Sequence, residues 1–313
     1  VNADWVEQVR AGNPRAVARA ISAIERGGEE ARRVIIALFR FTGGAHIIGV
    51  TGAPGTGKST LVNEIAKQYR RRGQRVGIVA VDPTSPFSGG ALLGDRLRMQ
   101  DLSGDAGVFI RSMATRGSLG GLAAATADAV KVLDAAGFEI VLVETVGAGQ
   151  NEVDIARNAH TTLVVEAPGM GDDIQAIKAG IMEIADVLIV NKADHDEVSA
   201  TVAALEMNLN LKPKTENEWR PPVLKTIATT GEGVAQVVEW IGKHRAYMEA
   251  HHLLHARERA RARAELEKVV QNELMARLLR GVNGTKFDTL VEQIVAREMN
   301  VYAAAAMLLE EGR

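Results

Sequence analysis

The chain contains no cysteine. Disulfides, thiolate metal sites, thiol nucleophiles and iron–sulfur ligation are therefore excluded together. Aromatic residues make up only 4% of the sequence and the net charge is −2. Neither the stacking platforms nor the basic bias of a nucleic-acid binder is present, and no nucleic-acid partner is expected. No apolar run approaches the ~18 residues of a membrane span, so no membrane partner is expected either. The opening residues Val1-Asn2-Ala3-Asp4-Trp5 carry neither a charged-then-apolar signal layout nor an Arg/Ser-rich transit layout. A cytoplasmic location is the expectation. What the chain does have is length. Its 313 residues suffice to bury roughly 75% of the unfolded surface, as two domains or as one α/β domain with helical additions.

Along the chain the apolar period changes twice. Trp5, Val6, Val9, Val17, Ile21, Ile24, Val34, Ile35 and Leu38 recur at helical spacing, with a break at Gly27-Gly28. From residue 46 short β-rich runs appear at 46–51, 76–82, 107–111, 140–144, 161–166, 187–191 and 223–227, with helical patterns between them. This alternation predicts βαβ crossovers and a mostly parallel sheet flanked by helices. Nearly continuous apolar runs such as Ile140-Val141-Leu142-Val143 suit strands buried on both faces. Beyond about residue 240 the pattern is helical only, as one long or twice-bent helix over 236–280 and two more after the turn at 281–284. The expected division is an N-terminal helical segment 1–44, an α/β domain 45–240 and a helical extension 241–313.

Gly52-Ala53-Pro54-Gly55-Thr56-Gly57-Lys58-Ser59 follows a strand and opens a helix, the context that makes a P-loop match specific. The glycines let successive N–H groups converge on phosphate oxygens, and the helix N-terminus adds partial positive charge. Lys58 is expected at the β/γ-phosphates and the Ser59 hydroxyl on Mg²⁺, with Thr60 beginning the helix behind them. Asn191-Lys192-Ala193-Asp194 ends a later strand. A carboxylate such as Asp194 accepts two hydrogen bonds from the guanine N1–H and N2–H₂. Facing adenine it stays unpaired, at a cost of roughly 1–3 kcal/mol. GTP and GDP are therefore the expected nucleotides, and a backbone N–H at Ala228, after the next strand, is expected to close over the base.

Glu144-Thr145-Val146-Gly147 stands where a phosphate-sensing Asp-x-x-Gly normally sits. Glu144 is a candidate for a Mg²⁺ water and Gly147 for a backbone contact to the γ-phosphate. Asp82 and Asp95 fit metal ligands and ordinary strand-end or turn residues equally well. Gln150 lies three residues beyond Gly147 instead of beside it, which makes it a poor water-positioning residue and implies slow intrinsic hydrolysis. His244, His251 and His255 are spaced to share one helix stripe, solvated or partner-facing, with metal binding as the alternative. Arg257, Arg259, Arg261 and Arg263 read as an exposed helix face.

The segments around these motifs, 81–85, 89–96, 144–150, 171–178 and 191–194, occur in order and closely resemble the methylmalonyl-CoA-mutase-associated GTPases. The resemblance spans essentially the whole chain. It implies a SIMIBI-class G protein, homodimeric through its C-terminal helices, acting as chaperone of a cobalamin-dependent acyl-CoA mutase. By motif position it carries Lys58 and Ser59 to phosphate and Mg²⁺, and Asp82, Asp95 and Glu144 to the Mg²⁺ shell. Asn191, Lys192 and Asp194 carry over to guanine, and 171–178 to a mobile switch, in which Lys178 is a candidate for stabilising charge. A transport-linked ATPase or kinase, as an older family label has it, and a metal-insertion GTPase are the alternatives. Asn191–Asp194 argues against the first and the absence of cysteine against the second.

Overall fold

The computed structural model describes residues 2–82, 100–102, 104–114, 121–145, 159–169, 183–211, 218–281 and 284–311. The chain forms two compact units, Val1–Leu254 and His255–Arg313. Helices α1 (Ala3–Arg10), α2 (Pro14–Arg26) and α3 (Gly28–Leu38) lead into β1 (His46–Thr51) and α4 (Lys58–Arg71). Then come β2 (Val76–Asp82), β3 (Val108–Ala114), α5 (Gly121–Ala135), β4 (Ile140–Thr145), β5 (Thr161–Glu166) and β6 (Val187–Asn191). The unit closes with α6 (Val198–Leu211), β7 (Val223–Thr226) and α7 (Val234–Ala250).

The seven strands form one sheet in the order β3-β2-β4-β1-β5-β6-β7, every pairing parallel. All residues of β1, β4, β5 and β6 are buried, as their unbroken apolar runs require. Side chains alternate between two layers. Ile48, Val50, Ile140 and Leu142 pack with Leu61, Val62 and Ile65 of α4 and with Val237 and Ile241 of α7. Ile47, Val141 and Val143 pack on the opposite face with Val17 and Ile21 of α2 and Leu133 of α5. The N-terminal helices thus belong to the sheet's own core. The break between α1 and α2 comes from Asn13, whose side chain accepts from the backbone N–H groups of Arg15 and Ala16, with Pro14 at the first helical position.

The expected boundary at 240/241 compares with one at 254/255, because α7 packs on α4 of the sheet unit. The helical extension contains α8 (Leu253–Gly281), which begins at the boundary, α9 (Gly284–Val295) and α10 (Val301–Glu311). Between α7 and α8 the chain breaks at His251-His252, with His252 in the left-handed region at φ 56°. Among the described residues of this second unit only Leu290 and Ala304 are buried. No helix of the described residues is long and apolar enough to cross a membrane.

At the amino edge of the sheet lies a buried polar chain. His46 Nε2 lies 2.9 Å from Thr161 Oγ1, which lies 2.9 Å from His244 Nδ1, and His244 Nε2 lies 3.2 Å from Asp186 Oδ1. The Asp186 carboxylate only accepts, so with a neutral His244 the hydrogens order in one direction: His46 donates to Thr161, Thr161 to His244, and His244 to Asp186. The other Asp186 oxygen accepts from the Thr162 N–H, and the Asp186 carbonyl accepts from the Trp219 indole. His244 is therefore a core residue clipping α7 to the sheet. It shares no stripe with His251, which is exposed, or with His255, which follows the helix break; this corrects the stripe expected from spacing.

Burial pushes the His46 imidazole down to about 3, helped by the neighbouring His160, Arg245 and His244, with Asp186 opposing. Because the folded value lies below the unfolded one, the unfolded chain takes this proton first as pH falls. The stability held by neutral His46 is present above about pH 6.5 and is lost progressively toward about pH 3. His46→Gln retains a donor near the same place and removes the titration. Urea unfolding at pH 7 and pH 5 is expected to show the wild type losing stability faster than the variant, by up to about 1.4 kcal/mol per pH unit. Equal losses would remove His46 from the account.

Candidate functional site

Of the residues singled out from the sequence, 52–60, Glu144 and 191–194 lie at the carboxyl edge of the sheet, at the ends of β1, β4 and β6. Gly52 leaves β1 at φ 141°, where an added Cβ would stand 2.0 Å from the Val165 carbonyl oxygen of β5. The loop therefore passes so close to its neighbour strand that a side chain has no room. At the far end Gly57 caps α4 at φ 89°, and an added Cβ would stand 2.4 Å from Asn191 Nδ2. No side chain caps the helix here, so the first N–H groups of α4 face the loop, the arrangement that receives anionic oxygens. Thr56 is fully buried and its hydroxyl donates to the Ala53 carbonyl. Ala53 is half-buried, while Pro54 and Gly55 are exposed at the loop's crest.

Lys58 is buried, and its ammonium donates to the carbonyls of Gly52 at 2.8 Å and Ala53 at 2.9 Å. A compact point charge is thereby held in the loop's concavity, where phosphate oxygens would compete for it. Ser59, one residue on, donates its hydroxyl to Glu144 Oε1 at 2.6 Å, and Thr60 is half-buried behind it. A buried hydroxyl and a buried carboxylate at a helix N-terminus are hard oxygen donors, and they fit a Mg²⁺ ion that takes few protein carboxylates. Among the described residues no group of three or more His, Asp or Glu side chains could hold a metal ion alone. An ion here would complete its shell with water and phosphate oxygens. Asp82 closes β2, paired across to Ala114; the structure describes its backbone only. Asp95, Gly147, Gln150 and Lys178, with the segment 171–178, lie outside the described residues.

Asn191 ties the loop to the other half of the site. Its Nδ2 donates to the Thr56 carbonyl at 2.8 Å, while its Oδ1 accepts from the Ala228 N–H at 3.0 Å and the Thr226 hydroxyl at 3.1 Å. It stands at the end of β6, two strands from β1, and reaches back across β5. The Ala228 N–H, expected over the base, is here bonded to Asn191. Lys192 turns the chain in the left-handed region at φ 58°, and the Ala193 N–H pairs with the Thr226 carbonyl. Asp194, which follows this turn, is exposed. Two further residues escaped the sequence reading. Thr226 is marked only by ending the strand before Ala228. Glu166, a buried acid ending β5 next to β1, carries the same signal that singled out Glu144.

A glycine-lined phosphate loop at the carboxyl edge of a parallel sheet, opening a helix with Lys58 and Ser59 in its first turn, defines a P-loop NTPase. Comparison with known proteins narrows this class. The chain belongs to the methylmalonyl-CoA mutase-associated GTPases: the family profile described as "Methylmalonyl Co-A mutase-associated GTPase MeaB" matches residues 15–283. It is 46% identical over 310 residues to an inferred GTPase of Pyrococcus abyssi, covering 98% of this chain and 96% of that one. It is 35% identical over 242 residues to the GTPase ArgK of Escherichia coli, covering 75% and 73%. With the mitochondrial methylmalonic aciduria type A homolog of Mus musculus it shares 34% over 231 residues, covering 73% and 56%. The crystal structure of an LAO/AO transport system kinase superposes with a TM-score of 0.75 at 24% identity, over 99% of this chain and 98% of that one, which shows a common fold.

Two glycines separate loop geometry from general stability. Gly57→Ala places a methyl on Asn191 and forces a left-handed alanine, a strain of roughly 1–2 kcal/mol before the clash; nucleotide affinity is expected to fall at least about tenfold. Gly242→Ala, exposed within α7 with nothing near its added Cβ, is expected to raise stability by ~0.5–1 kcal/mol and leave affinity unchanged. Urea unfolding and fluorescent-nucleotide titration of both variants check this pair.

Proposed function

We propose that the chain is a Mg²⁺-dependent GTPase that works as a homodimer and serves as the G-protein chaperone of a cobalamin-dependent acyl-CoA mutase of the methylmalonyl-CoA type. The observation that carries the nucleotide half is the Asn191 bridge, which joins the phosphate loop to the turn bearing Asp194 in one rigid frame. In this reading Gly52, Ala53, Pro54, Gly55, Thr56, Gly57 and Lys58 receive the phosphates. Ser59 and Glu144, with Asp82 and Asp95, hold the ion, and Lys192 and Asp194 take the base. When bound, the ion neutralises charge developing on the phosphate oxygens. The chain's own part is positioning, with Lys58 supplying charge at the β/γ-phosphates and Glu144 orienting water around the ion. Gln150 and Lys178 are the candidates for completing catalysis once a partner engages.

The mutase half rests on the family, whose description names that enzyme, and on a relative named for methylmalonic aciduria. Support for the homodimer is physical. Leu266, Leu274, Val295, Val301, Tyr302 and Leu309 of the second unit are all exposed, apolar side chains that a second copy would cover. The kinase or transport-ATPase reading meets Asp194, a carboxylate that adenine leaves unpaired. A cytoplasmic location is part of the same proposal.

The reading is tested in two stages. GTP is expected to bind at least ~10²-fold more tightly than ATP, about 2.7 kcal/mol, and Asp194→Asn is expected to shift preference toward xanthosine nucleotides. Competition by ATP on equal terms would return the kinase or ATPase reading. The purified cobalamin-dependent acyl-CoA mutase of the source cell is then expected to accelerate GTP turnover at least about tenfold, a threshold set below the ~10³–10⁵ that a partner-supplied arginine finger contributes. No acceleration would leave a GTPase without this client.

A further inference from the structure

Strand β4 ends in two residues that fasten to the phosphate-loop frame from opposite faces of the sheet. Glu144 points to the α4 face, the side on which Ile140 and Leu142 also pack, and its carboxylate receives the Ser59 hydroxyl. Thr145 points to the α2/α5 face, with Val141 and Val143, and its hydroxyl donates to Thr51 Oγ1 at 3.1 Å. The β1–β4 register that pairs Val50 with Glu144 brings Thr51 level with Thr145. Both threonines are buried, at 0% and 1% exposure. Thr51 is the last residue of β1, immediately before Gly52, which is itself wedged against Val165. Thr51 is therefore anchored to the base of the phosphate loop.

The two fastenings differ in kind. The Ser59–Glu144 contact lies between groups that a Mg²⁺-nucleotide would engage, so it must change as the site fills. The Thr51–Thr145 bond lies on the other face of the sheet, between two hydroxyls that are not among the groups assigned to the ion. A buried hydroxyl that loses its partner carries a desolvation penalty, so this bond resists any slip of β4 along β1. We propose that Thr145 is a positioning residue: its hydroxyl bond to Thr51 holds the end of β4 level with the phosphate loop and thereby places Glu144 against Ser59 for the metal-bound nucleotide. The proposal rests on the reading that Ser59 and Glu144 hold the ion. It gives the threonine after Glu144 a task of its own, carried out through its neighbour.

The test is calorimetric and needs no turnover. GDP affinity is measured with saturating Mg²⁺ and with EDTA for the full-length wild type, Thr145→Val, Thr145→Ser and Thr51→Val. The readout is the ratio of the two affinities. Thr145→Val keeps the side-chain volume and is expected to lower the Mg²⁺ enhancement about fivefold, the scale of one net hydrogen bond, while the EDTA affinity stays within about twofold. Thr145→Ser, which keeps the hydroxyl, is expected to restore the enhancement. Thr51→Val, which removes the acceptor from the other strand, is expected to match Thr145→Val, and the double variant to add nothing further. Thr51→Val carries the same expectation if Thr145→Val fails to fold. An unchanged ratio in both valine variants, or an equal loss in Thr145→Val and Thr145→Ser, overturns the proposal and leaves Thr145 a packing residue. A wild type whose GDP affinity ignores Mg²⁺ would overturn the metal reading itself, which is a different result from either.

Discussion

The site depends on one side chain that makes three hydrogen bonds. Asn191 gives its amide N–H to the phosphate loop at Thr56 and takes two donors, the Thr226 hydroxyl and the Ala228 N–H, from the end of β7 and the loop beyond it. An amide can do this because it carries donor and acceptor on one planar group; neither aspartate nor leucine of similar size could. Gly57 has to be glycine partly because this amide occupies the space where its Cβ would stand. The phosphate loop and the turn that bears Asp194 are thus parts of one hydrogen-bonded frame. A frame of fixed hydrogen bonds is what lets a phosphoryl-transfer site act mainly through position and charge.

That frame stands on a sheet whose two edges are built on different principles. At the carboxyl edge polar groups gather around the phosphate loop: Lys58 on the loop carbonyls, Ser59 on Glu144, and Asn191 on its three partners. At the amino edge polar groups face each other, in the chain from His46 to Asp186, ordered by a carboxylate that can only accept. Both sets lie on the same strands, since β1 begins at His46 and ends at Thr51, and β6 begins just after Asp186 and ends at Asn191. Between them the strands are wholly apolar and pack on both faces. The core therefore sets the spacing of the site, while the amino-edge chain fixes α7 against the strands that carry it.

Much of this was legible in the sequence, and the reasons are local. The phosphate loop is a contiguous stretch whose spacing, strand before and helix after can all be read directly. The strands declare themselves by apolar runs between glycine-rich breaks, and the observed β1, β2, β5 and β6 begin and end where those runs do. Asn191 was legible as part of a motif but its partners were not, because Thr56 and Ala228 lie 135 and 37 positions away in the chain and only the folded sheet brings them together. His244 was misread for the same reason: its helical spacing from His251 is real, but the Trp219 loop and Asp186 bury it from elements that a single-helix reading does not contain. The helix break at His251-His252 uses a left-handed histidine where a glycine would have announced it.

Asn191 is bonded to the phosphate loop at Thr56, and in the proposed function Asp194 reads the base. Binding of Mg²⁺-triphosphate, a ligand with phosphates and no base, separates the two most directly, by competition against a fluorescent guanine nucleotide. Asn191→Ala is expected to weaken binding of triphosphate and GTP alike, and Asp194→Ala to weaken GTP while leaving triphosphate untouched. Undiminished triphosphate affinity in Asn191→Ala would contradict that expectation.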